Sequence, residues 1–168
     1  MKHLILFLLM TESFFSCGSS ADLCNRKEAK YVLENFSREY TGLDTLIRTD
    51  GYYYYEDSTG LLHEPFILSN NGELHILYIQ YKSHIELQEK FGNNTPTGRG
   101  RGSYTLSGDT IKVRWAMPFQ FNCYDVFSGQ YVIENNTTLR KIWQKSRNGQ
   151  LDPVRNEIYK FYEFKIDK

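Results

Sequence analysis

Residues 102–115 read Gly102-Ser103-Tyr104-Thr105-Leu106-Ser107-Gly108-Asp109-Thr110-Ile111-Lys112-Val113-Arg114-Trp115, and the alternation within this stretch decides the fold. Apolar side chains alternate with hydroxyl or charged side chains on both sides of a Gly-Asp turn. The apolar positions of the two arms are Tyr104, Leu106, Ile111, Val113 and Trp115. Because successive strand residues point to opposite faces, this pattern predicts an antiparallel hairpin with one face in the core and the other in water.

Strand-like segments continue along most of the chain on both sides of this hairpin. They are predicted at residues 43–49, 64–68, 73–81, 129–134, 138–144 and 157–166. Turn residues such as Asn70-Asn71-Gly72 separate them, and the consecutive tyrosines at positions 52–55 would place rings on both faces of a further strand. Sequential antiparallel strands around one core predict a mainly β fold, an antiparallel meander that forms a small barrel or sandwich.

One segment, residues 25–40, has helical rather than strand periodicity. Tyr31, Val32, Asn35, Phe36 and Tyr40 recur every three to four positions and give one modest apolar face, in which Asn35 is the polar member. We therefore expect one short N-terminal helix, followed by strands, in a single β-rich domain that covers residues 25–168.

The first residues have the composition of an export signal. Lys2 and His3 form a short polar start, and residues 4–10 are an unbroken apolar run. A permanent transmembrane helix needs roughly 20 apolar residues, whereas the apolar core of a signal peptide needs only about 7–15. Residues 1–16 are therefore predicted to be a signal peptide, and residues 17–24 a tether before the domain.

The stretch Phe14-Phe15-Ser16-Cys17-Gly18 resembles the lipobox of bacterial lipoproteins, with a small residue on each side of the cysteine. In that family the cysteine thiol takes a diacylglyceryl group, and the peptide bond before it is cut. The resemblance implies lipid attachment at Cys17 and a place in the bacterial cell envelope, anchored to a membrane on the periplasmic face or the surface. The alternative is an ordinary secretory signal, cut nearby, with Cys17 discarded.

The motif Gly102-x-Tyr104-x-Leu106-x-Gly108-Asp109-Thr110-Ile111 is similar to the hairpin of small lipocalin-like domains in bacterial envelope lipoproteins. It covers a short part of the chain. The resemblance implies an antiparallel barrel whose mouth or interior admits a small apolar ligand. It carries no binding residues over to this sequence.

Of the 3 cysteines, Cys24 and Cys123 remain if Cys17 is lipidated. An oxidising compartment permits a disulfide between them, which would stabilise the fold by roughly 4–5 kcal/mol in the chain-entropy model. The alternative is two independent thiols, with Cys24 in a mobile leader and Cys123 buried.

The charge balance and the ionisable residues exclude several functional classes. Without Lys2 and Glu12, the 20 basic and 20 acidic residues fall to 19 of each, so no overall field favours nucleic acid as a partner. His63, His75 and His84 lack metal-ligand spacing, so neither a metal nor a cofactor is expected. His63 and Glu64 are adjacent, and neighbours on a strand point to opposite faces, so they are rejected as an acid/base pair. No catalytic constellation is recognised, and we do not expect an enzyme.

Two groups of residues are candidates for ligand binding. Arg99 and Arg101 lie in a glycine-rich stretch, residues 92–102, that suits an anion, and the alternative is a plain solvated loop between strands, which is common for this composition. Aromatic residues of the strands could line a cavity for an apolar ligand or a sugar, or they could simply fill the barrel. The aromatic candidates are Tyr53, Tyr55, Trp115 and Trp143.

The sequence favours a lipid-anchored module that binds a small apolar or sugar ligand. The alternative is a structural or protein-interaction lipoprotein of the envelope without a small ligand. A cavity with a few polar groups would favour the first of these two functions, and a filled barrel with an exposed apolar patch would favour the second.

Overall fold

The protein is described by a computed structural model that covers residues 26–34, 41–77, 80–92, 100–118, 123–145, 151–152 and 157–164. Its α-helices there are α1 (Arg26–Glu34) and α2 (His84–Gly92). Its strands are β1 (Gly51–Glu56), β2 (Leu62–Leu68), β3 (Glu73–Ile76), β4 (Gly100–Ser107), β5 (Thr110–Pro118), β6 (Tyr124–Asn135), β7 (Thr138–Lys145), β8 (Leu151–Asp152) and β9 (Ile158–Glu163).

The strands form one closed antiparallel sheet. From β1 to β7, strands that follow each other in the chain are also neighbours in the sheet. β9 then pairs with both β7 and β1, which closes an eight-stranded barrel, and the short β8 pairs with the end of β7 that β9 does not reach. The predicted mainly β meander is confirmed, and the architecture is the barrel rather than the sandwich.

The hairpin predicted from residues 102–115 is present as β4 and β5. Tyr104 pairs with Val113, and Ser107 pairs with Thr110 across the turn. Gly108 in that turn has a φ of 62°, a left-handed conformation that glycine adopts without a side-chain penalty. The predicted apolar face points into the barrel, where Ile111 and Trp115 are fully buried.

Aromatic rings fill much of the barrel interior. The ring centroid of Phe66 lies 5.3 Å from those of both Tyr131 and Tyr159, and 5.8 Å from that of Tyr53. The buried residues of this interior cluster are Leu43, Ile47, Tyr53, Phe66, Leu68, Leu74, Ile76, Tyr104, Ile111, Val113, Trp115, Tyr131, Leu139 and Tyr159. These ring contacts hold the inner faces of β1, β2, β6 and β9 together.

A short segment before β1 covers one end of the barrel, which we call the capped end. Residues 43–49 were predicted to be a strand, and this prediction is wrong, because Leu43–Thr45 forms a single 3-10 turn that begins at Gly42. Leu43 and Ile47 lie four residues apart, and both are buried in the interior cluster. A spacing of four residues places both side chains on the same side of a helical turn. In a strand, the residue midway between them would point inward as well.

The opposite, distal end of the barrel is where β1, β3, β5 and β7 finish and β2, β4, β6 and β9 begin. The turn formed by residues 57–61 joins β1 to β2 at this end.

The helices lie on the outside of the barrel. α1 falls within the predicted helix at residues 25–40, whose remaining positions lie outside the described residues. Its Ala29 and Val32 pack against Ala116 of β5 and Val126 of β6, which form one cross-strand pair in the distal half.

α2 was not predicted, although the sequence contains a start signal for it. The backbone N–H of Glu86 donates to the hydroxyl of Ser83, and the Glu86 carboxylate accepts from the N–H of Lys82. This is a variant of the capping box, a Ser followed three residues later by a Glu. Leu87 of α2 is fully buried over the outward rings of Tyr52 and Tyr54.

Candidate functional site

A lysine is buried inside the barrel between two carboxylates. Lys141 is only 6% exposed, and its Nζ donates to Oε2 of Glu64 at 3.1 Å and to Oε2 of Glu157 at 2.8 Å. The hydroxyl of Tyr159 donates to the same Oε2 of Glu64 at 3.0 Å. We call Glu64, Lys141, Glu157 and Tyr159 the ionic cluster.

Three strands bring the ionic cluster together in the distal half of the barrel. Glu64 is near the start of β2, Glu157 directly precedes β9, and Tyr159 is the second residue of β9. Lys141 pairs across β6 and β7 with Tyr131, whose ring belongs to the interior cluster, so both side chains point inward.

The backbone of Glu64 is in an unusual conformation. Its φ is 43°, and it is the one residue other than glycine with a positive φ among those the structure describes. Tyr53 pairs with Phe66 and Tyr55 with His63, so Glu64 and Pro65 together face a single residue of β1. This β-bulge turns the Glu64 side chain towards Lys141 at a conformational cost of about 1–3 kcal/mol.

The electrostatics of the ionic cluster explain how it tolerates burial. A buried lysine needs ion pairs, and Lys141 has two of them because two carboxylates face its one ammonium group. The formal charge of the four groups together is negative. Burial raises the pKa of Tyr159 well above its ordinary value, and the neighbouring Tyr131, Glu64 and Glu157 raise it further. The phenol is therefore neutral at physiological pH and serves as a hydrogen-bond donor to Glu64.

The carboxylates have acceptor capacity left. Their side chains are 31% exposed at Glu64 and 21% exposed at Glu157, and each bonds through Oε2. Within the described part of the chain, Oε1 of neither residue accepts a hydrogen bond. A hydroxyl or an amine that enters the distal half of the barrel could donate to these oxygens.

The aromatic residues predicted to line a cavity lie in two places. Tyr53 and Trp115 are buried in the interior cluster, and Tyr55 packs against it. Trp143 pairs with Gln130, one residue from the inward Tyr131, and its indole N–H donates to the Gln130 side chain at 2.8 Å. The register shift between Gln130 and Tyr131 places Trp143 on the outer face. Strict alternation counted from the inward Leu139 would have placed it on the inner face.

Trp115 fills the space that inward-facing glycines leave. A Cβ on Gly100 would lie 3.3 Å from Cδ1 of the Trp115 ring, and a Cβ on Gly129 would lie 3.6 Å from Cζ3. The ring also stacks on Phe127 at 5.3 Å. Its Nε1 is buried and has no hydrogen-bond partner among the described residues, which leaves a donor inside the barrel.

The residues predicted to bind an anion are placed only in part. Arg99 lies outside the described residues. Arg101 is in β4, not in a loop, and its guanidinium donates to the carboxylate of Glu73 on β3 at 3.1 Å. The predicted loop is therefore shorter than residues 92–102, because Gly100–Ser107 is strand.

Cys123 is disulfide-bonded and directly precedes β6. The other cysteines, Cys17 and Cys24, both lie outside the described residues. The pairing of Cys24 with Cys123 therefore stays a prediction.

The histidines have separate surroundings. His63 bonds to Asp57 at 2.7 Å, and its ring lies 5.9 Å from that of Tyr55. The Thr59 hydroxyl and His63 lower the pKa of Asp57, so this carboxyl group stays ionised. His63 and Glu64 bond to different partners, but both contact tyrosines of the barrel interior, because the bulge interrupts the alternation assumed from the sequence.

The two other described histidines lie on the outside of the barrel, whereas the ionic cluster is inside it. His75 pairs with Arg101 across β3 and β4, and its Nε2 lies 3.8 Å from Glu73. His84 begins α2 and stacks on Tyr162 at 3.8 Å. Within the described ranges, no group of three or more His, Cys, Asp or Glu could hold a metal ion.

A surface groove of about 370 Å³ lies at the capped end, away from the ionic cluster. Its lining consists of Asp44, Thr45, Leu46, Ile47, Arg48, Thr49, Asp50 and Asn136. The Arg48 guanidinium in this groove is already held by Asp50 and Glu163 and stacks over the Phe161 ring. Its charge is thus neutralised within the fold, and the groove offers less binding chemistry than the ionic cluster.

Comparison with known proteins gives no assignment, since no family model, curated protein or solved structure matches the chain. Among the described residues, none of the helices is both long and apolar enough to cross a membrane.

The ionic cluster was missed in the sequence analysis. The available signal was Lys141, which stands two residues after the apolar Leu139 on the face of β7 that alternation assigns to the core. Glu64 could not be assigned by alternation, because its direction depends on the bulge.

Proposed function

We propose that this protein is a lipid-anchored binding module of a bacterial cell envelope, and that its barrel binds a small sugar-like ligand at the ionic cluster. The observation that carries the proposal is the burial of Lys141 with Glu64 and Glu157 inside a closed barrel. Apolar residues of similar volume would often stabilise a core as well or better, so these charges suggest a role beyond stability.

The surroundings of the cluster favour a ligand with several hydroxyl groups. Oε1 of Glu64 and Oε1 of Glu157 can accept hydrogen bonds, and the unpartnered Nε1 of Trp115, on β5, is a further donor inside the barrel. The Tyr55 ring, 6.2 Å from that of Tyr159, adds a flat apolar surface beside the carboxylates. Flat rings with a few directional polar groups are the usual composition of a site for a small polar ligand.

A purely apolar ligand is less well supported by the geometry. The rings at the centre of the barrel pack on each other, as Phe66 does on Tyr53, Tyr131 and Tyr159. Their faces are thereby covered by protein. The polar distal half offers groups that an apolar molecule would leave unpaired, at a cost in free energy.

The anchoring part of the proposal rests on the export signal in residues 1–16 and on the lipobox-like sequence around Cys17. Metabolic labelling with a fatty acid in a bacterial host tests it. Wild-type protein should take up label and fractionate with membranes, and Cys17→Ser should do neither. Continued labelling of Cys17→Ser would contradict lipid attachment at this residue.

Native mass spectrometry tests the proposed ligand binding. The mature protein is purified in a mild detergent and released from it in the spectrometer, and the same sample is extracted with solvent. A reproducible bound polyol or sugar is expected, and it should be lost or weakened in Glu157→Gln. Lys112→Gln, at an exposed position of β5, is the control and should retain the ligand. Retention by Glu157→Gln equal to wild type would show that the ionic cluster does not bind it.

The second candidate function is a structural or protein-interaction lipoprotein without a small ligand. The observation that favours it is the mutual packing of the interior rings, which is how a barrel of this size fills its own core. A clean ligand-free mass, together with no gain in thermal stability from a panel of sugars, would support this function over the first.

A further inference from the structure

The ionic cluster contains one more negative charge than its lysine can neutralise. Glu64 and Glu157 each form an ion pair with Lys141, and neither carboxylate pairs with another cation in the described part of the chain. Lys141 is also the one buried lysine or arginine among the residues that the structure describes. The phenol of Tyr159 is neutral at physiological pH and contributes no charge. This part of the barrel interior therefore lacks one positive charge.

The open acceptors of the cluster match the donors of an ammonium group. Oε2 of Glu64 and Oε2 of Glu157 contact the same Lys141 nitrogen, so their partners, the two unbonded Oε1 atoms, lie in the same part of the barrel. Side-chain exposures of 31% and 21% leave both carboxylates accessible to a ligand. An ammonium group has three N–H donors and no acceptor, which suits a site that offers only carboxylate oxygens.

A second observation, independent of the carboxylates, points to a ligand in the same half of the barrel. Trp115 is 1% exposed, and its buried Nε1 has no hydrogen-bond partner among the described residues. Nε1 is bonded to Cδ1, which lies 3.3 Å from where a Cβ on Gly100 would stand, and Gly100 begins β4 at the distal end. A ligand oxygen in the distal half would satisfy this donor, which otherwise stays unpaired.

We infer that the ligand of the ionic cluster is an amino sugar, whose ammonium group binds to Oε1 of Glu64 and Oε1 of Glu157. The inference rests on the proposed function and adds the charge of the ligand to it. The ammonium group brings the formal charge of the cluster to zero, and the partly buried Tyr55 ring beside it attracts the same cation. Acidic sugars are excluded, because their carboxylate would face those of the cluster without a cation.

A matched set of monosaccharides tests the inference. Ligand-observed NMR titration of the mature protein in mild detergent compares glucosamine with glucose, N-acetylglucosamine and glucuronate. Glucosamine differs from glucose only at C2, and acetylation removes the charge of its nitrogen. We expect glucosamine to bind about tenfold more tightly than glucose or N-acetylglucosamine, because hydrogen bonds between charged groups are the stronger ones, and glucuronate to bind most weakly.

Variants locate this preference at the cluster. Glu157→Gln and Glu64→Gln each remove one negative charge, so each should lower the preference for glucosamine over glucose to about twofold or less. Glu56→Gln removes the same charge from an exposed position at the same end of the barrel and should leave the preference unchanged. An equal loss of preference in Glu56→Gln would overturn the inference.

The remaining outcomes separate this inference from the proposed function. Equal binding of glucosamine and glucose, weakened alike by Glu157→Gln, would overturn the ammonium group and leave the sugar site in place. A preference for glucosamine that persists in both Glu157→Gln and Glu64→Gln would overturn the inference and the site together. Binding of none of the four sugars would also overturn both.

Discussion

The phenol of Tyr159 donates a hydrogen bond of 3.0 Å to Glu64, a residue whose own backbone is held at a φ of 43°. Tyr159, the second residue of β9, thus holds the Glu64 carboxylate in the strained bulge of β2. The two strands are not paired with each other, because β1 lies between them. Lys141 contacts both partners, at 3.1 Å from Glu64 and 3.4 Å from the Tyr159 hydroxyl. The conformational cost at Glu64 is offset by interactions that only the closed barrel provides.

The strain at Glu64 predicts an unusual order of stability between two variants. Glu64→Gly and Glu64→Ala both remove the carboxylate, but only glycine adopts the left-handed conformation without a steric penalty. We expect Glu64→Gly to be about 1 kcal/mol more stable than Glu64→Ala in urea unfolding. Equal stability, or a more stable alanine variant, would contradict the bulge.

Removing the charge of Lys141 should be costly. Lys141→Met leaves Glu64 and Glu157 without their buried counterion, and we expect a loss of about 3 kcal/mol in the free energy of unfolding. Lys112→Met, the same change at an exposed position, should alter it by less than about 0.5 kcal/mol.

A combined variant distinguishes the charge effect from a packing effect at the same site. Adding Glu64→Gln and Glu157→Gln to Lys141→Met removes the uncompensated charges and should recover part of the lost stability. No recovery, or a further loss equal to the sum of the single changes, would indicate that Lys141 acts through packing of its aliphatic chain.

Tyr159 should make the fold sensitive to alkaline pH. Because burial raises the pKa of Tyr159 well above 10, the unfolded chain ionises near pH 10 while the folded protein keeps the phenol neutral. Its contribution to stability is fully present below about pH 10 and is lost as the pH rises towards the folded pKa. Urea unfolding across this range should show a shallower decline for Tyr159→Phe than for wild type, and identical slopes would refute the assignment.

Gly102 should tolerate no side chain, unlike Gly108 in the turn of the same hairpin. A Cβ on Gly102 would lie 2.0 Å from the Arg114 carbonyl oxygen and 2.5 Å from Cα of Trp115, both backbone atoms. We expect Gly102→Ala to cost about 3 kcal/mol or more, because the strands would have to separate. Gly108→Ala meets open space and strains only φ, so about 1 kcal/mol is expected. Thermal unfolding compares the two, and similar shifts would contradict the close approach at Gly102.

Sequence reasoning succeeded where side-chain alternation acts alone. Tyr104, Ile111 and Trp115 point inward as predicted, because β4 and β5 pair without a register shift over their common length. The Asn71-Gly72 turn likewise lies between β2 and β3, where Gly72 has a φ of 84°. Local patterns of this kind carry their own physical reason and need no knowledge of distant residues.

The same reasoning failed where register shifts or tertiary contacts decide direction. Trp143 and Glu64 each lie beside a bulge, and one extra residue in a strand reverses the face that its neighbours occupy. Residues 43–49 were predicted to be a strand, whereas Leu43–Thr45 forms a 3-10 turn and Leu43 and Ile47 bury their side chains in the interior cluster. The ionic cluster unites residues 64, 141 and 157, and no local pattern could have grouped them.

The closure of the barrel by its last strand has a consequence for how the chain reaches its final state. β1 has β2 on one side and β9, the final strand, on the other. A chain in which β9 has not yet left the ribosome therefore has unpaired strand edges at β1 and β7, and lacks the Tyr159 ring in its core. The barrel cannot close until β9 is available to pair with both β1 and β7, so its last folding step joins segments from opposite ends of the described chain.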